Sequence, residues 1–174
     1  MHFGVLRVLN DDIIAAGTGF GTHPHDNMEI ISIPLQGAIE HKDSMGNTSV
    51  IKSGDIQVMS AGTGIQHSEY NQSKTDAAKF LQIWVFPDKK NVTPRYDQIS
   101  LNIADRKNKL QQILSPDSSD DSVWIHQKAW FFFFNPEAGT TLDYRLKNHT
   151  NGVYVLVLKG NITIDGQQLS ARDG

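Results

Sequence analysis

Two short stretches hold the residues best suited to chemistry. Thr22-His23-Pro24-His25 places two histidines at i, i+2, and Gln66-His67-Ser68-Glu69 repeats that spacing with a histidine and a glutamate. On an extended strand, side chains at i and i+2 point to one face. Imidazole nitrogen is a good ligand for Zn, Fe, Cu and Ni. If the two stretches lie on neighbouring strands, His23, His25, His67 and Glu69 supply three nitrogens and one oxygen and leave coordination positions open. Such a set suits a metal that must also bind substrate or oxygen. A lone His-x-His is a weak signal, and Pro24 biases its predecessor toward extended conformations that also fit a turn. The second pair favours the metal: three of seven histidines fall in these two stretches, each beside a glycine-rich boundary.

The elements that position these residues read as short strands. Val5–Leu9 is a strand, with Asn10-Asp11-Asp12 as a turn before Ile13. Gly17, Gly19 and Gly21, at period two, predict bends and close backbone contact before the histidines, and no helix follows them as a dinucleotide loop would require. Met28–Ile33 is a strand broken at Pro34. Ala38–Lys42 and Thr48–Ile51 flank a hairpin turn at Asp43–Asn47. Ile56–Met59 and Lys79–Phe86 are strands, and Gly62-Thr63-Gly64 is a tight bend before His67. This succession argues for a small antiparallel barrel or jelly roll. Asn91–Ser100 reads as a polar connection, Ile103–Lys109 holds a helical turn, and Lys109–Leu114 fits strand or helix. Val123–Phe134 is too aromatic for a surface helix and reads as a bent or bulged strand. Strands over 139–146 and Val153–Leu158 and a hairpin at Asp165-Gly166 complete the chain.

Composition bounds the rest. The 174 residues suffice for one large β domain or two small ones. A formal charge of −3 shows no basic footprint for direct nucleic-acid binding. No run of 18 apolar residues exists, so no membrane span is expected. The absence of cysteine removes disulfides and thiolate ligands, and with no signal-peptide layout at the N-terminus a cytoplasmic protein is expected.

A diffuse internal repeat divides the chain. Leu35-Gln-Gly37-Ala-Ile-Glu40 resembles Leu158-Lys-Gly160-Asn-Ile-Thr163, and Arg145 and Lys147 stand where the first copy has His23 and His25. Two related β domains are expected, over 1–95 and 96–174, with metal chemistry in the first only. The second copy lacks a segment matching Ile56–Phe86.

The motif Gly17-x5-His23-x-His25-x3-Glu29, with Gly54, Gly62, His67 and Asn71, resembles the cupin superfamily. Ser60 departs from it, standing where the general motif has Pro. His23-Pro-His25-Asp-Asn-Met-Glu29, Glu40-His-Lys-Asp-Ser-Met-Gly-Asn47 and Met59-Ser-Ala-Gly-Thr-Gly-Ile-Gln-His67-Ser-Glu69-Tyr-Asn71 resemble one branch, the pirin family. Gln82-Ile-Trp84, Thr93-Pro-Arg-Tyr96 and Leu114-Ser-Pro-Asp117 continue the likeness, which is nearest to bacterial pirin-like quercetin 2,3-dioxygenases. The resemblance implies an all-β bicupin of double-stranded β-helix (jelly-roll) barrels, the second barrel truncated, with unpaired edges. It implies His23, His25, His67 and Glu69 as ligands of one divalent metal, Fe(II) first and Ni, Cu, Mn or Zn as alternatives. Glu29 matches a ligand of other cupins but not of pirins, and is expected to be a buried, hydrogen-bonding support.

The activity so implied is opening of flavonols such as quercetin with O2 and release of carbon monoxide. Glu69 would be the general base for the substrate hydroxyl. The alternative is a metal-containing regulator without enzymatic activity that acts through a protein partner. A closed apolar pocket would favour catalysis and an exposed patch beside the metal would favour binding. Phe20, Met28 and Ile30 read as core or pocket lining, His41 as solvated, and His126 as a packed, hydrogen-bonded histidine.

Overall fold

The computed structural model describes residues 2–174. Its contacts cluster into two compact units, Met1–Asp143 and Tyr144–Gly174. Among the described residues no helix is long and apolar enough to cross a membrane.

The first unit is built on two antiparallel sheets. Strands β1 (Leu6–Ile14), β2 (Gly19–His25), β3 (Glu29–Gln36), β4 (Ala38–Asp43), β5 (Thr48–Lys52), β6 (Asp55–Ser60), β7 (Ile65–Asn71), β8 (Ala78–Val85) and β9 (Arg95–Ser100) form it. One sheet runs β1-β8-β3-β6-β9 and the other β2-β7-β4-β5. The chain crosses repeatedly between them, which makes the jelly-roll barrel expected of the double-stranded β-helix.

Burial patterns show which faces the barrel closes over. β3 is shielded on both faces: Ile30 and Ile31 point to opposite sides and neither is exposed. Each such side chain contributes about 1.5–3 kcal/mol by burial, and truncation to Ala would cost about 2–5 kcal/mol. β7 instead alternates strictly, with Ile65, His67, Glu69 and Asn71 buried and Gln66 and Tyr70 exposed. Period-two alternation therefore aims His67 and Glu69 into the barrel together.

Several elements differ from the sequence reading. Asn10-Asp11-Asp12 is no turn; it lies inside β1 and pairs with Gln82, Leu81 and Phe80. β1 is an edge strand, where charge is tolerated and blocks further pairing. Pro34 does not end β3, because beyond Ser32 the strand pairs only with β8 and its other side carries no ladder. The supposed connection 91–100 contains β9, paired with β6 from Arg95 to Ser100. Its polar side chains are satisfied locally: Gln98 and Ser100 donate to Asp55, at 3.0 and 2.6 Å.

The rest of the first unit is a three-stranded sheet with β10 (Gln111–Ser115) at its centre. β11 (Val123–Trp124) runs parallel to it and β12 (Phe131–Phe133) antiparallel. The aromatic run 123–134 is thus two short strands around a bend. Ile103–Arg106 forms the helical turn, as a 3-10 helix capped by Asn102.

The second unit holds one hairpin, β13 (Asn161–Ile164) and β14 (Gln167–Ser170). Asp165 and Gly166 both have positive φ, 47° and 81°, the geometry of the two-residue hairpin turn that Asp-Gly favours. The strands expected over 139–146 and 153–158 are not formed, for no neighbouring strand pairs with them.

Candidate metal centre

β2 and β7 bring the two histidine-bearing stretches side by side. His23 is in register with His67, and a bulge between Phe20 and His23 offsets the rest of the strand. Gly19 permits the close approach, since a Cβ there would collide with the Glu69 carbonyl and the Tyr70 backbone. On the far side, Gly62 adopts φ 49° beneath the Val92 carbonyl, where a side chain would also collide; the bend it makes delivers the chain to β7.

The three imidazoles converge. His23 Nε2 and His67 Nε2 are 3.1 Å apart, and the His25 ring lies 4.8 Å from that of His23 and 5.0 Å from that of His67 between centroids. His23 Nδ1 lies 2.8 Å from the Gly21 carbonyl. A carbonyl only accepts, so Nδ1 carries the proton and Nε2 is left bare in the neutral ring. His25 Nε2 is buried with no hydrogen-bond partner. Burial, with His23 nearby, pushes His25 down to about 4; burial and the surrounding imidazoles push His67 down to about 3. Both rings are therefore neutral at neutral pH and offer lone pairs.

Lone pairs crowded together are unfavourable unless a cation sits among them. Metal–nitrogen bonds of about 2.1 Å at right angles place two nitrogens about 3.0 Å apart, close to the His23–His67 spacing. The donor set thus fits a divalent transition metal.

Glu69 is fully buried; it comes within ligand spacing of His67 and His41, but not of the whole His23, His25 and His67 set. Its Oε1 accepts from Ser32 Oγ at 2.9 Å and its Oε2 from Gln82 Nε2 at 2.6 Å. Ser32 and Gln82 are cross-strand partners on β3 and β8, so the opposite sheet holds both oxygens. Each oxygen keeps a further lone pair. Burial pushes the Glu69 carboxyl above the usual carboxylate range, against the Ser32 hydrogen bond and the His23 ring.

Two ligand-spaced groups emerge among the described residues: His23, His25 and His67, and His41, His67 and Glu69. Glu29 belongs to neither. It is buried on the other side of β3, accepts from Ser60 Oγ at 2.7 Å and from the His126 backbone N–H, and lies in the field of Arg95. Ser60, where the general cupin motif has Pro, is its cross-strand partner, so that departure supplies the hydroxyl.

The other candidates fall as follows. Ile30 is core, with Met28 and Trp84 packed against its cluster, and the Trp84 ring meets His25 edge-on. Phe20 is 42% exposed and lines no core. His126 packs edge-on against Trp124. His41, read as solvated, is fully buried. The missed signal is strand alternation: Glu40 and Lys42 pair outward at 2.8 Å, so Ile39, His41 and Asp43 must face the barrel. A hollow of about 430 Å³ opens beside His25, lined by Asp26, Ser44, Thr63 and Gln66 among others. A second, of about 300 Å³, reaches His67.

The Pirin family model matches residues 1–85, and that of the quercetinase C-terminal cupin domain matches residues 112–174. The chain is 44% identical over 174 residues to the quercetin 2,3-dioxygenase of Escherichia coli (strain K12), which covers 100% of this chain and 74% of that protein. A pirin-like protein of Caulobacter vibrioides is 39% identical, over 100% of this chain and 75% of its own length. The crystal structure of the bacterial pirin YhhW from Escherichia coli in complex with nickel(II) superposes with a TM-score of 0.83 at 41% identity, over 99% of this chain and 72% of that one. The chain belongs to the pirin family.

Proposed function

We propose that the protein is a metal-dependent dioxygenase that opens flavonol-type rings with O2 and releases carbon monoxide. The observation that carries this is the convergence of three imidazole rings, one of them also grouped with a buried glutamate, in a chain 44% identical to a protein named quercetin 2,3-dioxygenase. His23, His25, His67 and Glu69 are the proposed ligands, all within the proposed metal-binding domain 1–95; residues 96–174 form the proposed second, incomplete cupin domain. Fe(II) is the preferred metal and Ni(II) the first alternative, since a related pirin binds nickel.

When bound, the metal supplies Lewis acidity that lowers the pKa of a substrate hydroxyl. The chain's own residues do the remaining work. Glu69, held by Ser32 and Gln82, takes the hydroxyl proton; its burial makes it a stronger base than a solvated carboxylate. Trp84 fixes the His25 ring from the side. The hollow beside His25 admits a planar ligand, and Ser44, Thr63 and Gln66 offer it hydrogen bonds.

The test is anaerobic loading with Fe(II), Ni(II) or Cu(II), followed by O2 and quercetin, with carbon monoxide measured. Release coupled to quercetin loss is expected with at least one metal. No release with any metal overturns the enzymatic reading. A regulator acting through a protein partner is the second reading. It is favoured by the open mouth of the hollow, whose lining is as polar as it is apolar, where a closed apolar pocket would be expected for a flavonoid.

A further inference from the structure

Behind His67, on the side away from His23 and His25, lies a buried pair that the proposed chemistry does not use. His41 and Asp43 sit on β4 with both side chains fully shielded, and His41 Nε2 lies 3.1 Å from Asp43 Oδ2. His41 Nδ1 lies 3.5 Å from His67 Nδ1, at the long limit of a hydrogen bond. We propose that His41 and Asp43 are positioning residues which dictate the tautomer of His67, so that its Nε2 is always the bare, metal-facing nitrogen. This rests on the reading of His67 as a ligand.

The polarity of the relay follows from its far end. Asp43 is surrounded by donors: the backbone N–H groups of Met45 and Asn47 donate to Oδ1, at 2.9 and 3.1 Å, and Asn47 Nδ2 donates to Oδ2 at 2.8 Å. A carboxylate so placed only accepts, so His41 Nε2 carries the proton and donates to it. The neutral His41 ring then has a bare Nδ1. A His67 Nε2–H donating to His23 Nε2 at 3.1 Å would leave the His41 and His67 Nδ1 lone pairs facing each other where both rings are buried, whereas His23 is only half-buried and water can reach its Nε2; His67 Nδ1 is therefore the donor, and the remaining lone pair of His67 is on Nε2. The Gly21 carbonyl imposes the same tautomer on His23. Both rings are thus set before any metal arrives, one by a backbone carbonyl and one by a turn aspartate two residues from its histidine. A carboxylate at the end of a chain of imidazoles also makes the ligand ring a better electron donor.

Asp43→Asn discriminates positioning from packing. The two backbone N–H groups require an oxygen at the Oδ1 place, so the new amide must present its NH2 toward His41, and the Asn47 amide turns over to accept from it in place of donating. That inverts the relay: His41 Nε2 becomes the acceptor, its Nδ1 the donor, and the His67 proton moves to Nε2, where it blocks the metal. His41→Gln keeps the order, because an amide can donate NH2 to Asp43 and offer its oxygen to His67.

The first experiment is nitrogen-15 NMR of the histidine rings in the metal-free protein, which reports the protonated nitrogen whether or not the site binds metal. Wild type and H41Q should show His67 protonated on Nδ1, and D43N on Nε2. The second is Ni(II) affinity by chelator competition. D43N should bind about 10–100-fold more weakly than wild type, the usual effect of losing a partner behind a ligand, and H41Q should stay near wild type. If D43N does not fold, H41L, which leaves the turn intact and removes the acceptor, should show the same loss of affinity. His67 protonated on Nε2 in wild type overturns the relay, as does H41Q weakened as far as D43N or H41L. If the relay tautomers are found but wild type binds no Ni(II), the metal reading fails and the relay stands.

Discussion

Glu69 and Glu29 are buried to the same degree, 0% and 1% exposed, on opposite sides of β3. Each accepts a hydrogen bond from a serine hydroxyl, Ser32 for Glu69 and Ser60 for Glu29. What separates them is the opposite wall. Inside the barrel, Glu69 meets imidazoles and the Gln82 amide. On the other face, Glu29 feels the charge of Arg95, whose guanidinium pairs with Asp97 at 2.8 Å, lies 3.9 Å above the Trp124 ring and donates to the Trp124 carbonyl at 2.7 Å. A buried carboxylate beside lone pairs is placed to share a cation, whereas one whose face already holds a guanidinium, itself paired to Asp97, is not. Burial and a serine donor are therefore no guide to function until the facing groups are known.

The comparison breaks most visibly through the metal. His67→Ala and His23→Ala each remove one of three convergent nitrogens, and metal content per chain by elemental analysis should fall to a small fraction of wild type. Full occupancy in either variant would mean that the metal lies elsewhere.

Glu69→Gln keeps the size and one acceptor but removes charge and basicity. It should fold, retain some metal on three imidazoles, and lose about 10²–10⁴ in single-turnover rate, the range for losing a general base. Variant and wild type are compared at equal metal content. If Glu69→Gln keeps the wild-type rate while Glu29→Gln is inactive, the two roles are exchanged.

Glu29→Gln should change turnover less than tenfold, a bound taken as about one decade below the loss of a general base. Its signature is in stability against pH. Burial raises the Glu29 carboxyl above its unfolded value, with Ser60 and Arg95 opposing. The folded state then holds this proton more tightly than the unfolded chain. The contribution is fully present below the unfolded pKa and is lost as pH rises through the folded one. The stability of wild type relative to Glu29→Gln should therefore be greatest in acid and shrink toward neutrality, as urea unfolding at a series of pH values would show; a gap that widens with pH contradicts the raised value.

The smallest contrast is between the serines. Ser32→Ala and Ser60→Ala each strip one donor from a buried carboxylate and should cost about 1–3 kcal/mol in unfolding free energy. Only Ser32→Ala should also slow turnover, since only Ser32 holds the proposed base. Equal rate effects would erase the distinction drawn here.

Much of this molecule was legible in the chain. The i, i+2 pairs at His23/His25 and His67/Glu69 announced a shared face, because side-chain alternation on a strand is a local property. The Asp43–Asn47 and Asp165-Gly166 turns were equally readable, since positive φ is a matter of residue type. His41 was misread because Glu40 and Lys42 made its neighbourhood look solvated. The same alternation, anchored on Ile39, would have turned it inward. β9 was missed because its polar side chains look like a loop until Asp55 is known to satisfy them.

Local pattern alone thus determined which residues share a face, where the tight turns fall and that the chain forms a small antiparallel β barrel, while the cupin type came from the resemblance of its motifs. Pairing between distant strands decided the rest: Ser32 and Gln82 on Glu69, Arg95 opposite Glu29, and the His67–His41–Asp43 line. The hydrogen bonds among these join residues up to 37 positions apart, from Ser32 to Glu69. No local periodicity encodes which of two buried carboxylates faces imidazoles and which faces an arginine, because that depends on which sheet closes over each side of β3.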